Sequence, residues 1–579
     1  MNTNALPFGG LSPEIIIKIL HYCECSSILR FAATCKLFHD IVAHSTSLRL
    51  HIELESNGLE ILKGSFRHGA TYSVILNDLR RFRDAWLDLD FSSQVVRFVG
   101  KSEMLLWELR EGFYIRAFSQ IGGRFADSIQ FIPLDSGFPE HPPLFFDFTF
   151  NEFTADPRQE LLAILSRGPH GDGHVCIHLC SSLTTLPHPL ARYPRLIAQF
   201  DFVPPHYWPG FSIEIMENIV LAKVSHLQSC KYELLIWDWK SGVFLNRISS
   251  RRGICDFTFL DPQHLAVSSA TLSNENRLDT LELLVFALST GNSVSPDSDG
   301  SLRVADLPVS EPILRLGFPQ IKNSSIISET GFFLRAEPTP GRTMHTSSAT
   351  FMYASAITLS MTFCFRAVIG RRNVPPYCRV FIDGDFVRDQ LLTAPREGGA
   401  KVLPWSSWGP NVTRWFTASE EPDHWICWMS GSRYIASLPV RPYCFLFDFS
   451  PRITERFRDR FAHSNPAALD HLVDTSDLVM AEQFHDLDHL GDVLYIFSSE
   501  SPPEHQFFAI TVGADNPSMI DNSDIFGFEE QIISRLPYRL VFRTDIEDDY
   551  EGWQINGNFL VGLTIQGGSE ILGTYKLNH

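Results

Sequence analysis

The chain has 579 residues, 44% hydrophobic and 20% charged, which indicates a well-packed globular protein with room for several domains or one large architecture. Its 48 Lys and Arg against 67 Asp and Glu give a net charge of −19, so neither nucleic acid nor an anionic membrane is expected as its partner. The 11 cysteines are odd in number, and the N-terminus MNTNALPFGG lacks the basic and apolar regions of a signal peptide. We therefore expect an intracellular protein, cytoplasmic or nuclear, with free thiols.

Residues 1–10 are predicted to be a flexible lead, and residues 11–42 to form three short helices. Ser12-Pro13-Glu14 is a helix start, with a hydroxyl cap, a proline at the first helical position and an acid in the first turn. Apolar residues follow at helical spacing. Further hydroxyl caps for the second and third helices are offered by Ser26, Ser27 and Thr34. So short a segment cannot bury all its apolar groups, so the surplus is expected to dock on the rest of the chain or on another protein.

The same segment resembles an F-box. The matching residues, in order, are Leu11-Ser-Pro13-Glu14-Ile15, Ile19-Leu20, Ile28-Leu29-Arg30 and Cys35-Lys36-x-Phe38. The family pattern opens with Leu-Pro-x-Glu-Ile, whereas here Ser12 separates Leu11 from Pro13, and Ile28 replaces the first leucine of the middle motif. Leu6-Pro7 is a second possible opening. The alternative is that residues 11–42 are ordinary helices packed on their own domain.

Membership of the F-box family implies a helical module at residues 11–45 that binds the Skp-type adaptor of a cullin–RING ubiquitin ligase, and through it a cullin. The rest of the chain would then recognise an unknown substrate protein. By this resemblance the adaptor-binding residues are Leu11, Pro13, Ile15, Ile19, Leu20, Leu29, Cys35 and Phe38, with Pro13 and Leu29 expected in direct contact.

Residues 46–93 are predicted to link this module to a second region. The stretch LRLHIEL, residues 48–54, alternates and is expected to be extended. Residues 73–90 are predicted to form an amphipathic helix, because the apolar residues Ile75, Leu79, Phe82, Trp86 and Leu89 are three or four positions apart.

From residue 94 to residue 579 the sequence predicts a β-rich domain of short strands separated by turns. Leu234–Gly242, with Trp237-Asp238, resembles the end of a WD-type propeller repeat, and 284–291 and 445–449 are weaker copies. We therefore predict a mainly β fold, an irregular β-propeller, with two or more β-sandwiches as the alternative. Residues 291–312 are expected to be a long surface loop.

One uncharged stretch, Thr346–Phe365, is the strongest membrane candidate. Its aromatic and large aliphatic residues share one parity, and small or hydroxylated residues occupy the other. Period two predicts a strand rather than a membrane helix, so no membrane partner is expected.

Several clusters could hold a metal, but none has a complete ligand set. His485-Asp486-x-Asp488-His489, with His463, Asp470 and His471 as possible company, lacks the glutamate of a zincin motif. The spacing of His21, Cys23, Cys25, Cys35 and His39 is not that of a zinc knuckle, and Ser295–Asp306 lacks the bidentate Glu of a calcium loop. We predict no cofactor and no stoichiometric metal.

The sequence thus favours a non-enzymatic substrate-recognition subunit of a Skp/cullin/F-box ubiquitin ligase. No nucleophile elbow, phosphate-binding loop or dinucleotide-binding motif lies at a suitable strand–helix junction. The alternatives are a β-propeller hydrolase or metal enzyme, and a scaffold that acts without the ligase.

Overall fold

A computed structural model describes residues 10–578, except 68, 101–102, 136, 138–140, 169–172, 205–209, 227–229, 275–276, 289–292, 329–330, 366–376, 395–398, 419–427, 438–442, 452–453, 455–506, 523–526, 548–549 and 567–568. The described helices are α1 (Pro13–Leu20), α2 (Cys25–Thr34), α3 (Lys36–His44), α4 (Thr46–Ser56), α5 (Tyr72–Asp88), α6 (Gly384–Leu392) and α7 (Trp405–Val412). None of these helices is long and apolar enough to cross a membrane.

The helix starts only partly use the predicted caps. Ser12 precedes α1 in extended conformation, but no helix N–H bonds its side chain. The N–H of Glu14 and, to a smaller extent, the Ser12 hydroxyl bond the Glu14 carboxylate instead, and both lower the pKa of that carboxyl. The predicted caps of α2 and α3 are wrong, because the cap positions are taken by Glu24 and Cys35.

Residues 46–56 form a helix, so the expectation of an extended LRLHIEL stretch is wrong. Ser45 caps this helix by accepting a hydrogen bond from the N–H of Leu48. Leu48 and Ile52 pack in the core of the helical module, whereas Leu50 and Leu54 pack against the core that contains α5. The alternation therefore arises from two stripes of residues four apart on opposite faces of one helix. The predicted helix at 73–90 is confirmed as α5.

A first strand, β1 (Leu59–Ile61), and a second, β2 (Val95–Gly100), flank α5. The described residues then form seven larger, mainly antiparallel sheets of four or five strands each. Sheets one to three each contain four consecutive strands. These are β3 (Met104–Arg110), β4 (Phe113–Phe118), β5 (Ala126–Pro133) and β6 (Leu144–Phe150); β7 (Glu152–Asp156), β8 (Leu161–Arg167), β9 (His174–Ser181) and β10 (Arg195–Gln199); and β11 (Phe211–Met216), β12 (Ile219–His226), β13 (Lys231–Asp238) and β14 (Phe244–Ser250).

The later sheets contain insertions. Sheet four contains β15 (Gly253–Asp261), β16 (His264–Asn274), β17 (Arg277–Ala287) and β19 (Leu314–Gly317), and β18 (Ser301–Arg303) joins sheet two beside β10. Sheet five contains β20 (Phe333–Arg335), β23 (Thr358–Cys364), β24 (Tyr377–Asp383) and β26 (Thr413–Ala418), interrupted by the hairpin of β21 (Thr343–His345) and β22 (Thr350–Tyr353) and by β25 (Lys401–Leu403), which joins sheet four.

Sheets six and seven complete the chain. Sheet six contains β27 (Met429–Ser430), β28 (Arg433–Ser437), β29 (Tyr443–Asp448), β33 (Tyr538–Glu547) and β30 (Phe507–Val512), with a separate hairpin of β31 (Ser518–Ile520) and β32 (Ile532–Ser534). Sheet seven contains β34 (Gly552–Asn556), β35 (Phe559–Gln566) and β36 (Ser569–Lys576), and β2 is its outermost strand.

The sheets close into a ring. β2 pairs antiparallel with β36, so the N-terminal and C-terminal parts of the β-rich region share sheet seven. Sheets one and seven also share a core that includes Leu109, Tyr114 and Leu563. Residues of six sheets, most of them on first strands, line one central cavity. Seven sheets around one axis are the blades of a β-propeller, so that prediction is confirmed and the sandwich alternative is wrong.

The three sequence copies occupy equivalent positions. Leu234–Gly242, the described part of 284–291 and 445–449 lie at or just beyond the ends of β13, β17 and β29, which are each third in their blades. In the best copy, Asp238 accepts hydrogen bonds from the N–H and hydroxyl of Ser241, and Gly242 has a φ of 73°. An Asp side chain and a glycine thus build the turn into the fourth strand.

Two segments singled out in the sequence contain strands. Thr346–Phe365 contains the whole of β22 and β23, as the alternating pattern indicated. Residues 291–312 were predicted as a surface loop, and this is wrong for part of the segment. Residues 301–303 form β18, and Leu302, Val304 and Leu307 are buried in the core of blades 2 and 3. The apolar residues are too few there to give a strand signal.

Candidate functional sites

The helices α1 to α4 form a small module with a core of its own. Ile16, Leu20, Ile28, Val42 and Leu48 are buried in it. The rings of Phe31 and Phe38 stack beside this core, with centroids 4.1 Å apart. The module therefore folds around one apolar interior, while other apolar side chains, among them Ile15 and Leu29, remain exposed on its outside.

Six of the eight predicted adaptor-binding residues are exposed, namely Leu11, Pro13, Ile15, Ile19, Leu29 and Cys35. Leu20 is only 4% exposed and belongs to the core, and Phe38 is half-buried against Phe31. Ile15 and Ile19 are four residues apart and share one face of α1, and Leu11 lies before the helix start. Leu29 lines an open groove between α2, α3 and α4.

Two exposed apolar residues of the module were missed by the sequence analysis. Leu37 is 54% exposed and Tyr22 is 86% exposed. Leu37 occupies the unspecified position of Cys35-Lys36-x-Phe38, so the motif contained no signal for it. The hydrophobic character of Leu37 itself was the only signal available for it.

The helical module is fixed to the propeller through α4 and α5. The Arg83 guanidinium donates to both carboxylate oxygens of Glu53 at 2.7 and 2.8 Å, and both residues are buried. Trp86 donates from its indole to the carbonyl of Gly557 in blade 7, 3.2 Å away. The guanidinium of Arg433 in blade 6 lies over the rings of Phe82 and Trp86.

A small sheet adds a second attachment. β1 pairs antiparallel with β22, which lies in the insertion between the first two strands of blade 5. Gly58, just before β1, has a φ of 61°, and a Cβ there would lie 2.8 Å from Ile357. The chain that leaves the helical module thus approaches the propeller closely enough to require glycine.

The central cavity of the propeller encloses about 110 Å³ and is lined mainly by the first strands of blades 1 to 5, with Lys223 of β12 and with Trp428, which lies just before the first strand of blade 6. Its charged lining residues are Glu108, Arg110, Glu152, Glu214, Lys223, Asp256, Arg335 and Glu337. Aromatic rings fill much of the remaining wall, among them Trp107, Phe333 and Trp428.

Asp256 connects three blades. One oxygen accepts a hydrogen bond from Lys223 of blade 3 at 2.7 Å. The other accepts from the N–H of Leu334 at 2.9 Å and from the guanidinium of Arg335, both in blade 5. These donors, with the two cationic charges most strongly, hold the pKa of Asp256 below its usual value although burial opposes this.

Arg110 connects the other side of the cavity. Its guanidinium bonds Glu108 in its own strand, Glu214 of blade 3 at 2.6 Å and Glu337 of blade 5 at 3.1 Å. Glu108 also accepts from the hydroxyl of Thr154 at 2.8 Å. Burial raises the pKa values of Glu108 and Glu337 in spite of the Arg110 charge.

Glu152 differs from the other carboxyl groups of the cavity. Among the described residues no cation pairs with it, and its only hydrogen bond in the structure is from the N–H of Phe153, 3.1 Å away. Burial, with the nearby Glu108 charge adding to it, raises the pKa of Glu152 to about 8, although Lys223 and Arg335 oppose the shift. The group is therefore mostly protonated at neutral pH.

The metal candidates divide into two groups. His463, Asp470, His471, His485, Asp486, Asp488 and His489 lie outside the described residues. Within the described part of the chain, no three His, Cys, Asp or Glu side chains are grouped to hold an ion. His21 instead contacts the hydroxyl of Ser47, and Ser301 bonds Asp299 in the turn that resembled a calcium loop.

Comparison with known proteins identifies the helical module. Residues 8–50 match the F-box domain family. No curated protein matches the chain by sequence. Solved structures that match this chain include hydrazine synthase of Kuenenia stuttgartiensis, at 8% identity over 65% of this chain and 84% of that one, with a TM-score of 0.33. The WD40 domain of SCAP from fission yeast is 8% identical over 84% and 97% of the two chains, with a TM-score of 0.27. The WD40 propeller domain of Doa1 is 10% identical over 51% and 94%, with a TM-score of 0.22.

Proposed function

We propose that this chain, an F-box domain at residues 8–50 followed by a β-propeller, is the substrate-recognition subunit of a Skp/cullin/F-box ubiquitin ligase. F-box proteins are typically non-enzymatic adaptors, and F-box domains generally bind a Skp-type adaptor. The adaptor would connect the chain to a cullin, and the propeller would hold a target protein.

The observation that carries this proposal is the exposed apolar surface of a module that already has a core. Ile15, Leu29 and Leu37 remain about half exposed although Ile16 and Ile28, their neighbours in sequence, are buried. Burying an apolar side chain contributes about 1.5–3 kcal/mol, so a partner that covers several of them gains a large part of its binding free energy there. A Skp-type adaptor is the partner that the F-box family supplies.

The mechanism is proximity. A propeller that holds a substrate, attached to a ligase through the F-box, keeps a substrate lysine near the charged ubiquitin-conjugating enzyme. Such a role requires a defined distance between the two binding regions. The buried Arg83–Glu53 pair, the packing of Trp86 and the β1–β22 pairing all support a fixed attachment.

Replacing Leu29 with Asp tests this proposal. Loss of apolar burial and desolvation of the new charge should together weaken binding of purified adaptor at least about tenfold, a difference of about 1.4 kcal/mol. Thermal unfolding of the full chain should be unchanged, since Leu29 is 49% exposed. The matched control is Leu186→Asp, which charges an exposed leucine on blade 2 and should leave adaptor binding intact.

Two outcomes contradict the proposal at different levels. Undiminished binding by Leu29→Asp would show that the adaptor uses another surface. Failure of the unmodified full chain to bind the adaptor would reject the ligase role and favour a scaffold without the ligase.

A further inference from the structure

The central cavity has more carboxyl groups than cationic groups. Its lining contains five carboxyl residues and three cationic residues, an excess of two. Arg110, Lys223 and Arg335 are each already paired with at least one carboxylate. An anionic ligand would have to compete with those carboxylates, whereas a cationic ligand would find carboxyl groups in excess.

The wall also offers a hydrogen-bond donor. Trp428 is 7% exposed and lines the cavity, and its indole N–H has no hydrogen-bond partner in the part of the chain that the structure describes. A buried donor without a partner costs about 1–3 kcal/mol, so a ligand with an acceptor oxygen would be stabilised there. A peptide carbonyl is such an acceptor.

Size and surface further restrict the ligand. A cavity of about 110 Å³ holds several water molecules or one side chain, and is below the roughly 300 Å³ of a site for a drug-sized ligand. Aromatic rings attract cations through their faces, as the Arg335 guanidinium 5.2 Å from the Phe333 centroid illustrates. An ammonium group on an apolar stem suits both features.

We propose that the central cavity binds a lysine side chain of a partner protein, with the ammonium group at Glu152 and the adjoining peptide carbonyl at the indole of Trp428. This inference rests on the proposed role of the propeller in holding a target protein, and it specifies the chemistry of that target. Glu152 is the expected ligand group because the other four carboxyl groups of the cavity form ion pairs, whereas Glu152 forms none with the described residues.

Without a bound cation, the Glu152 carboxyl holds a proton at neutral pH. The groups that face Glu152 are Glu108 of blade 1, Lys223 of blade 3, Arg335 of blade 5 and the N–H of Phe153, and together they leave the pKa of Glu152 at about 8. A bound ammonium group favours the carboxylate form, so binding at neutral pH should release about one proton. Affinity for lysine should therefore rise as pH rises through about 8.

The test is calorimetric titration of the full chain, in complex with the adaptor, with three probes. These are the capped tripeptide Gly-Lys-Gly, the same peptide with norleucine in place of lysine, and butylammonium. The lysine peptide should bind more tightly than either of the others. Its affinity should increase about tenfold between about pH 7 and about pH 9, where the ionised fraction of a group with a pKa of about 8 changes tenfold. The lysine ammonium stays charged through most of this range.

A matched pair of variants identifies the carboxyl group. Glu152→Gln keeps the shape but cannot ionise, so it should weaken binding of the lysine peptide at least tenfold and abolish its pH dependence. Glu160→Gln changes an exposed glutamate in the turn after the same strand and should alter neither. Thermal unfolding of both variants reports whether the propeller remains intact.

The other possible binding results would each contradict one part of the proposed lysine site. Equal binding of the norleucine peptide would exclude a cation site, and equal binding of butylammonium would exclude a protein side chain as the source of the cation. Lysine binding without dependence on Glu152 would exclude that residue as the ligand. If the chain binds the adaptor but none of the three probes, the cavity inference fails while the proposed ligase role stands.

Discussion

The helical module and the propeller place their side chains in opposite ways. The module leaves apolar residues such as Ile15 and Leu29 in solvent, whereas the propeller buries charged residues such as Asp256 and Arg110 in its centre. Each arrangement is costly for folding alone, because exposed apolar groups lose burial and buried charges lose hydration. Departures of this kind concentrate where a protein binds something. The two proposals follow this contrast, with the adaptor on the apolar surface of the module and the lysine side chain in the charged interior of the propeller.

The largest expected effect concerns the charged interior. Asp256→Ala leaves Lys223 and Arg335 without their shared carboxylate at the meeting point of three blades. Removing one partner of a buried pair costs about 3–5 kcal/mol, so the free energy of unfolding should fall by about that amount. Chemical denaturation of the full chain, followed by tryptophan fluorescence, measures this. A change below about 1 kcal/mol would mean that the propeller does not depend on its polar centre.

The second effect distinguishes the two faces of α1. Ile16 is 1% exposed and Ile15 is 50% exposed. Ile16→Ala should destabilise the helical module by about 3 kcal/mol, because it leaves a cavity in a small core. Ile15→Ala should change stability by less than about 0.5 kcal/mol. Hydrogen exchange of the α1 and α2 amides reports the module separately from the propeller. Similar exchange in the two variants would contradict the assigned faces.

Much of this architecture could be predicted from local sequence patterns. The F-box motif positioned three helices, the spacing of Ile75, Leu79 and Phe82 predicted α5, and alternation identified strands such as β23. The aromatic-Asp signal at Trp237-Asp238 found the end of a third propeller strand. These features depend on residues within one or two turns of each other.

What could not be predicted depends on distant residues or on ambiguous periods. The apolar residues of 48–54 fit both the alternation of a strand and two stripes on opposite faces of a helix. Only the two apolar cores that α4 packs against make the helix the stable structure. Blade 6 separates its third and fourth strands by residues 449–537, which hides the repeat period. Arg110 pairs with Glu214 and Glu337, which lie 104 and 227 positions further along the chain. No local sequence pattern could therefore indicate the cavity.

The third prediction concerns the junction between the two regions. Arg83→Ala removes the bidentate partner of buried Glu53, while Arg80 remains 3.7 Å from the same carboxylate. Because one cation remains, we expect a loss of about 1–3 kcal/mol rather than the full cost of an unpaired buried charge. Hydrogen exchange should increase in α4 and α5 and stay unchanged in blades 2 and 3. Increased exchange throughout the propeller would instead show that the junction is part of the folding unit of the ring.

The smallest effect is a change in the pH dependence of stability caused by Glu152. The pKa of this carboxyl is about 8 in the folded chain against 4.5 for an ordinary glutamate. Between these two values the folded state holds a proton that the unfolded state has released, so the contribution of Glu152 to stability is full below pH 4.5 and is lost as pH rises to about 8. Glu152→Gln should therefore make the decline of stability over this range shallower, while Glu160→Gln should not change it. Glu108 and Glu337, whose pKa values are also raised, act in the same direction and preserve part of the decline in the Glu152 variant. Denaturation midpoints measured at several pH values for the parent and both variants provide the comparison. An identical slope in all three proteins would mean that Glu152 is ionised in the folded chain, and the cavity would then contain a fixed negative charge that is ready for a cation without releasing a proton.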